Sequence, residues 1–114
     1  MIVTDVINPK RIDRIPDKTV VLLSSGNYFE QGLIVKRVEA RLYQEKTNSK
    51  LGPYSIITTV VETDEGLIET TLDEGYRGPN ALEEVVAYLT SHPIIPEIIL
   101  RSVIKLKKFL NQTK

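Results

Sequence analysis

The hydrophobic pattern of this chain changes period once, at Glu74, and that change limits what it can fold into. Before it, apolar residues alternate or form short β-branched runs, as strands do. After it they recur three and four residues apart, as on one side of a helix. Strands first and helices afterwards specify an α+β fold rather than an alternating α/β one. The expected architecture is an antiparallel β-sheet of four to five strands, with a meander in the middle and two C-terminal helices packed on one face. Residues 1–114 read as a single domain, strand-rich over 1–74 and carrying both helices over 80–111.

Ile2 to Ile7 is β-branched and reads as a short edge strand that Asn8-Pro9 ends. Residues 10–17 form a polar connector held down by Ile12 and Ile15. Thr19 to Leu23 is a continuous apolar run, the mark of a buried central strand, and 24–32 reads as a loop. Leu33 to Tyr43 is a long amphipathic strand. Ile34, Val38, Ala40 and Leu42 turn to the core with Lys36 as the exception, and Arg37, Glu39, Arg41 and Tyr43 turn outward. After a turn-rich stretch at 46–53, Tyr54 to Thr63 is β-branched on both faces. Asp64-Glu65-Gly66 then forms a tight hairpin into Leu67 to Leu72, with Gly66 supplying positive φ.

Asn80, with Glu83 three residues later, opens a helix over Ala81 to Ser91, which His92-Pro93 ends. A second helix starts near Pro96 and runs to about Asn111. Glu97, Arg101, Lys105 and Lys108 make one narrow polar stripe on it, and most of the rest is apolar. A helix apolar around so much of its circumference needs cover on more than one side. The expectation is therefore a homodimer or higher oligomer, formed through Ile98, Ile99, Val103, Leu106 and Leu110.

Composition removes several function classes. With no cysteine there is no disulfide, thiolate metal site or cysteine nucleophile, and with one histidine there is no two-histidine centre. No signal-peptide pattern or membrane-length apolar run is present, which points to a soluble protein of the cytoplasm with no membrane partner. Scarce Gln and abundant Ile, Val, Glu and Lys lean toward a thermophile's usage. The net charge is zero, yet Glu62 to Glu84 holds eight acids against Arg77, while 9–50 and 94–114 each carry a net +4. Neutral overall, the chain is strongly dipolar along its length.

Each candidate site has a plain structural alternative. Arg37, Arg41 and Tyr43, joined by Lys105, Lys107 and Lys108, supply the cations and the aromatic ring that track a phosphate backbone and stack a base; this makes DNA or RNA the first expected polymeric partner. Glu39 between the arginines argues instead for an ion-paired wet face. Arg77, Gly78 and Asn80 precede a helix N-terminus, where free N–H groups hold phosphate, but Glu83 and Glu84 already occupy that positive end. The acids from Glu62 to Glu74 carry no metal-binding signature and read as a solvated rim guarding the hairpin. His92 reads as a helix-end cation, and Ser24 and Ser25 have no evident base. No catalytic residue, metal or cofactor is expected. The function expected from the residues is a non-enzymatic binding module acting as a homo-oligomer. Its rivals are a small phosphate- or nucleotide-handling enzyme or ligand-binding protein at the 75–80 loop, and a purely structural subunit.

Overall fold

Residues 15–23, 28–91 and 95–112 are described by the computed structural model. In chain order the elements are β1 Lys18–Leu23, β2 Tyr28–Glu30, β3 Leu33–Glu45, β4 Tyr54–Thr63, β5 Gly66–Tyr76, α1 Ala81–Ser91 and α2 Ile95–Gln112. Every strand pairing is antiparallel; β3, β4 and β5 form the meander, and β1 and β2 both pair with the other edge of β3. The α+β reading therefore holds. The expected strand Ile2–Ile7, the Ser24–Asn27 turn and His92-Pro93 lie outside the described residues.

Three strand assignments change. Strand β5 continues past the expected end at Leu72 to Tyr76, into the expected 75–80 loop. The run Thr19–Leu23 is not central: among the described strands β1 is an edge, paired only with β3 and half exposed. Val20, Leu22 and Leu23 pack against the core while Val21 is exposed. Within the expected 24–32 loop, Tyr28–Glu30 forms a strand, joined to β3 by a two-residue turn at Gln31 and Gly32 with φ of 52° and 83°. Positive φ at both central residues is the hairpin geometry that matches strand twist.

A bulge explains the Lys36 exception. Val35 pairs with Thr63 and Arg37 with Glu62, so Lys36 has no partner of its own. An extra residue reverses the alternation on either side of it. Leu33 and Val35 are buried before the bulge, and Val38, Ala40 and Leu42 after it. The expected core face of β3 thus holds only beyond Lys36, and Ile34 is half-buried rather than a core residue.

Both helices cover the face that carries Val38, Ala40 and Leu42. Ile99, Val103 and Leu106 of α2 pack with Leu33, Val35, Val38, Val61 and Ile68. Ala81 and Leu82 of α1 pack with Ala40, Leu42 and Ile57. Each such leucine or isoleucine contributes about 1.5–3 kcal/mol by leaving water. Lys18 ties the start of α1 to β1 through Glu83 at 2.6 Å. No helix among the described residues is long and apolar enough to cross a membrane.

Candidate functional site

Beyond the Lys36 bulge, alternation turns Arg37, Glu39, Arg41 and Tyr43 to the sheet face that carries neither helix. Glu39 is clasped by both neighbours: Arg37 Nε donates to its Oε2 at 2.9 Å and Arg41 Nε to its Oε1 at 2.6 Å. On the same face Glu69 Oε2 accepts from Tyr43 Oη at 3.0 Å and from Thr58 Oγ1 at 2.8 Å, with Arg41 at 3.8 Å. Burial raises the Glu39 pKa, but the hydrogen bonds and charges of Arg37 and Arg41 outweigh it and hold the carboxyl below its ordinary range. Burial, then the negative charge of Glu69, pushes the Tyr43 hydroxyl up, against the opposing pull of Arg41.

These residues surround a cavity of about 170 Å³ between Arg37, Glu39, Arg41, Val60, Glu62 and Leu67. It is an internally satisfied ion cluster, and no buried side-chain nitrogen or oxygen among the described residues lacks a partner. Tyr43 was expected to face outward, but it is 1% exposed and bonded to Glu69, so its ring is not presented for stacking. Glu69 is 3% exposed, a buried anion rather than part of a solvated rim.

The acids from Glu62 to Glu74 do not converge. Asp64 bonds Ile34, Glu69 bonds Tyr43 and Thr58, Asp73 pairs with Arg77, and Glu74 accepts from Tyr54. These four are committed to different partners, Glu62 borders the cavity beside Glu39, and among the described residues no group of three or more metal-ligating side chains forms.

At the 75–80 turn the backbone is held tightly. Arg77 N donates to Pro53 O at 3.0 Å, continuing the β4–β5 ladder by one bond. Gly52 has φ of 104°, and a Cβ there would stand 2.3 Å from the Arg77 carbonyl oxygen, so only glycine fits. The Arg77 guanidinium is occupied by Asp73 at 2.5 Å. Gly78 and Asn80 are exposed, and the Asn80 carbonyl accepts the Glu84 N–H at 3.0 Å, the first turn of α1. Glu83 reaches to Lys18.

Behind this turn lies a larger cavity, about 300 Å³, that the sequence did not reveal. Leu72, Ala81, Val85, Tyr88 and Leu89 form its apolar wall, and Asp73, Arg77 and Glu84 its polar groups. A second bulge makes it possible. Ile57 pairs with Asp73 and Thr58 with Thr71, leaving Leu72 as the extra residue of β5. Leu72 and Asp73, consecutive in sequence, consequently both line the cavity on the helix side.

Lys105, Lys107 and Lys108 are exposed on α2, across the sheet from Arg37 and Arg41. The two basic segments therefore do not share a face. Lys107 Nζ is bound to the Gln31 carbonyl at 2.6 Å. Of the residues expected to meet a second copy, Ile99, Val103 and Leu106 are buried in the chain's own core, and Ile98 and Leu110 are half-buried. The apolar excess of α2 is largely absorbed by this sheet, with Ile104 its one exposed large apolar side chain among the described residues.

No family model, curated protein or solved structure matches the chain.

Proposed function

We propose that the chain is a non-enzymatic binding module whose ligand occupies the cavity between α1 and the distal half of β5. The observation that carries this reading is the lining itself: an apolar wall of Leu72, Ala81, Val85, Tyr88 and Leu89 beside a few polar groups gathered at Asp73, Arg77 and Glu84. Small-molecule sites have this composition, and about 300 Å³ is the lower end of their usual size.

Charge selects the ligand class. Two carboxylates and one guanidinium line the cavity, and Asp73 already holds that guanidinium. A phosphate would meet more negative than positive charge. A compact apolar body with a cationic or hydrogen-donating end fits better, its polar end toward Glu84. Arg77 then serves as part of the wall of the site and not as a phosphate cradle.

Amide NMR titration with two fragment sets, aryl amines and aryl phosphates, tests this. Aryl amines are expected to shift signals of Leu72, Ala81, Val85, Tyr88 and Leu89. Val85→Trp, which fills the cavity, and Tyr88→Ser, which removes a wall, are expected to abolish those shifts with circular dichroism unchanged. A preference for aryl phosphates at these residues, or no local shifts at millimolar ligand, overturns the proposal.

A further inference from the structure

We infer that a separate, smaller cavity between α2 and the β4–β5 ladder binds an oxyanion of the phosphate class. It measures about 120 Å³ and is lined by the hydroxyl residues Thr59, Thr70, Thr71 and Ser102, the cations Arg101 and Lys105, and the apolar Leu72 and Ile98. Arg101 and Ser102 lie one turn before Lys105, four and three residues from it, and so border the same side of α2. No carboxylate lines this cavity, in contrast to the one beside α1. In a chain with as many acids as bases, a hydroxyl cluster whose only charged neighbours in the lining are two cations is a local excess of positive charge with donors beside it.

The donors are available. Thr59 Oγ1 and Thr70 Oγ1 lie 3.1 Å apart across the ladder, and either can be the donor. A hydroxyl carries one proton and accepts two, so the pair uses one proton internally and leaves the other to point elsewhere. Ser102, 2% exposed, adds another hydroxyl. Lys105 makes no ion pair among the described residues. Arg101 pairs with Glu97 at 2.6 Å, but both side chains are mostly exposed, and such a pair yields readily to a better anion. Two cations and hydroxyl donors around a small volume match the several oxygens and double charge of a phosphoryl group. The size admits that group alone, so the ligand is inorganic phosphate or the phosphate end of a monoester whose remainder lies outside.

The test is titration of the full chain at low ionic strength with inorganic phosphate, followed by amide NMR and calorimetry, with chloride as control. Shifts centred on Thr59, Thr70, Ser102 and Lys105 are expected. Lys105→Gln changes an exposed side chain and is expected to weaken binding about tenfold, the usual loss of one charge-assisted contact. Thr70→Val is expected to weaken it as well, and Thr70→Ser to restore it. Phenyl phosphate separates the sources: equal binding supports recognition of a phosphate head on a larger molecule, and binding of inorganic phosphate alone supports the free ion. Val85→Trp is expected to leave phosphate binding unchanged, so this site and the one beside α1 fail separately. Shifts spread evenly over the surface lysines, or a Lys105→Gln protein that binds like the parent, overturn the inference. So does a phosphodiester oligonucleotide that binds more tightly than phosphate with shifts extending to Lys107 and Lys108.

Discussion

Asp64 and Ile34 hold each other through two reciprocal hydrogen bonds. The Asp64 N–H donates to the Ile34 carbonyl at 3.1 Å, and the Ile34 N–H donates to Asp64 Oδ1 at 3.0 Å. A turn residue of the β4–β5 hairpin thereby caps β3, next to the bulge at Lys36. Asp64→Ala removes the carboxylate and is expected to cost about 1 kcal/mol, with Asp64→Asn costing less because its amide oxygen still accepts. Urea denaturation of the two variants measures both.

The Glu39 clasp predicts an acid-sensitive component of stability. Burial opposes the charged form, and the two arginines more than reverse it, so the folded pKa lies below the ordinary value near 4.5. A depressed folded pKa stabilises the fold above the unfolded value, and that contribution is lost as pH falls through the folded one. The parent protein is expected to lose this component progressively below about pH 5, and Glu39→Gln to lack it. At neutral pH, Glu39→Ala is expected to cost roughly 2 kcal/mol, because it strips two part-exposed guanidiniums of their shared partner. Denaturant midpoints measured from pH 3 to 7 decide the matter.

Gly52 meets the Arg77 carbonyl across the open end of the β4–β5 hairpin. Gly52→Ala brings both a strained φ and a collision with backbone, which cannot rotate aside. A loss of about 2 kcal/mol or more is expected, with amide shifts reaching Pro53, Arg77 and Gly78. An equally stable alanine variant would show that the two loops separate easily.

Leu106 is fully buried among Val35, Val38 and Ile68. Leu106→Ala is expected to cost about 2–5 kcal/mol. If α2 belongs to the chain's own core, the thermal midpoints of parent and variant stay fixed as protein concentration changes. A midpoint that climbs with concentration would show that folding is linked to self-association.

Much of the architecture was legible. Three long strands, the Asp64-Glu65 hairpin and both helices follow from period and punctuation alone. What escaped the sequence was phase and pairing. Lys36 stood out as a charge in an apolar row, and the row itself was misassigned on one side of it, since nothing in the letters marks a residue that a ladder skips. Gln31 hid a hairpin because a left-handed glutamine is an uncommon turn residue. Thr19–Leu23 looked central because the apolar residues of an edge strand and a middle strand are alike. The candidate cavities were invisible for the same reason. Leu72 reads as the last residue of its strand and Asp73 as lying beyond it, and only the ladder that continues to Tyr76 brings both to one cavity. The pairing of Glu39 with Arg37 and Arg41 was legible from their spacing; the burial of Glu39, Tyr43 and Glu69 on that face was not.

Leu72 borders both the apolar cavity beside α1 and the hydroxyl cavity beneath α2. As the one position in β5 without a counterpart in β4, it is dispensable to the ladder: excising it closes the gap between Thr71 and Asp73 and leaves every flanking side chain on its present side. A protein lacking this single leucine would keep its strand register while both cavities lose a shared lining residue. Natural shortening or lengthening of the chain at this point would therefore reshape what the molecule holds without rewriting how it folds.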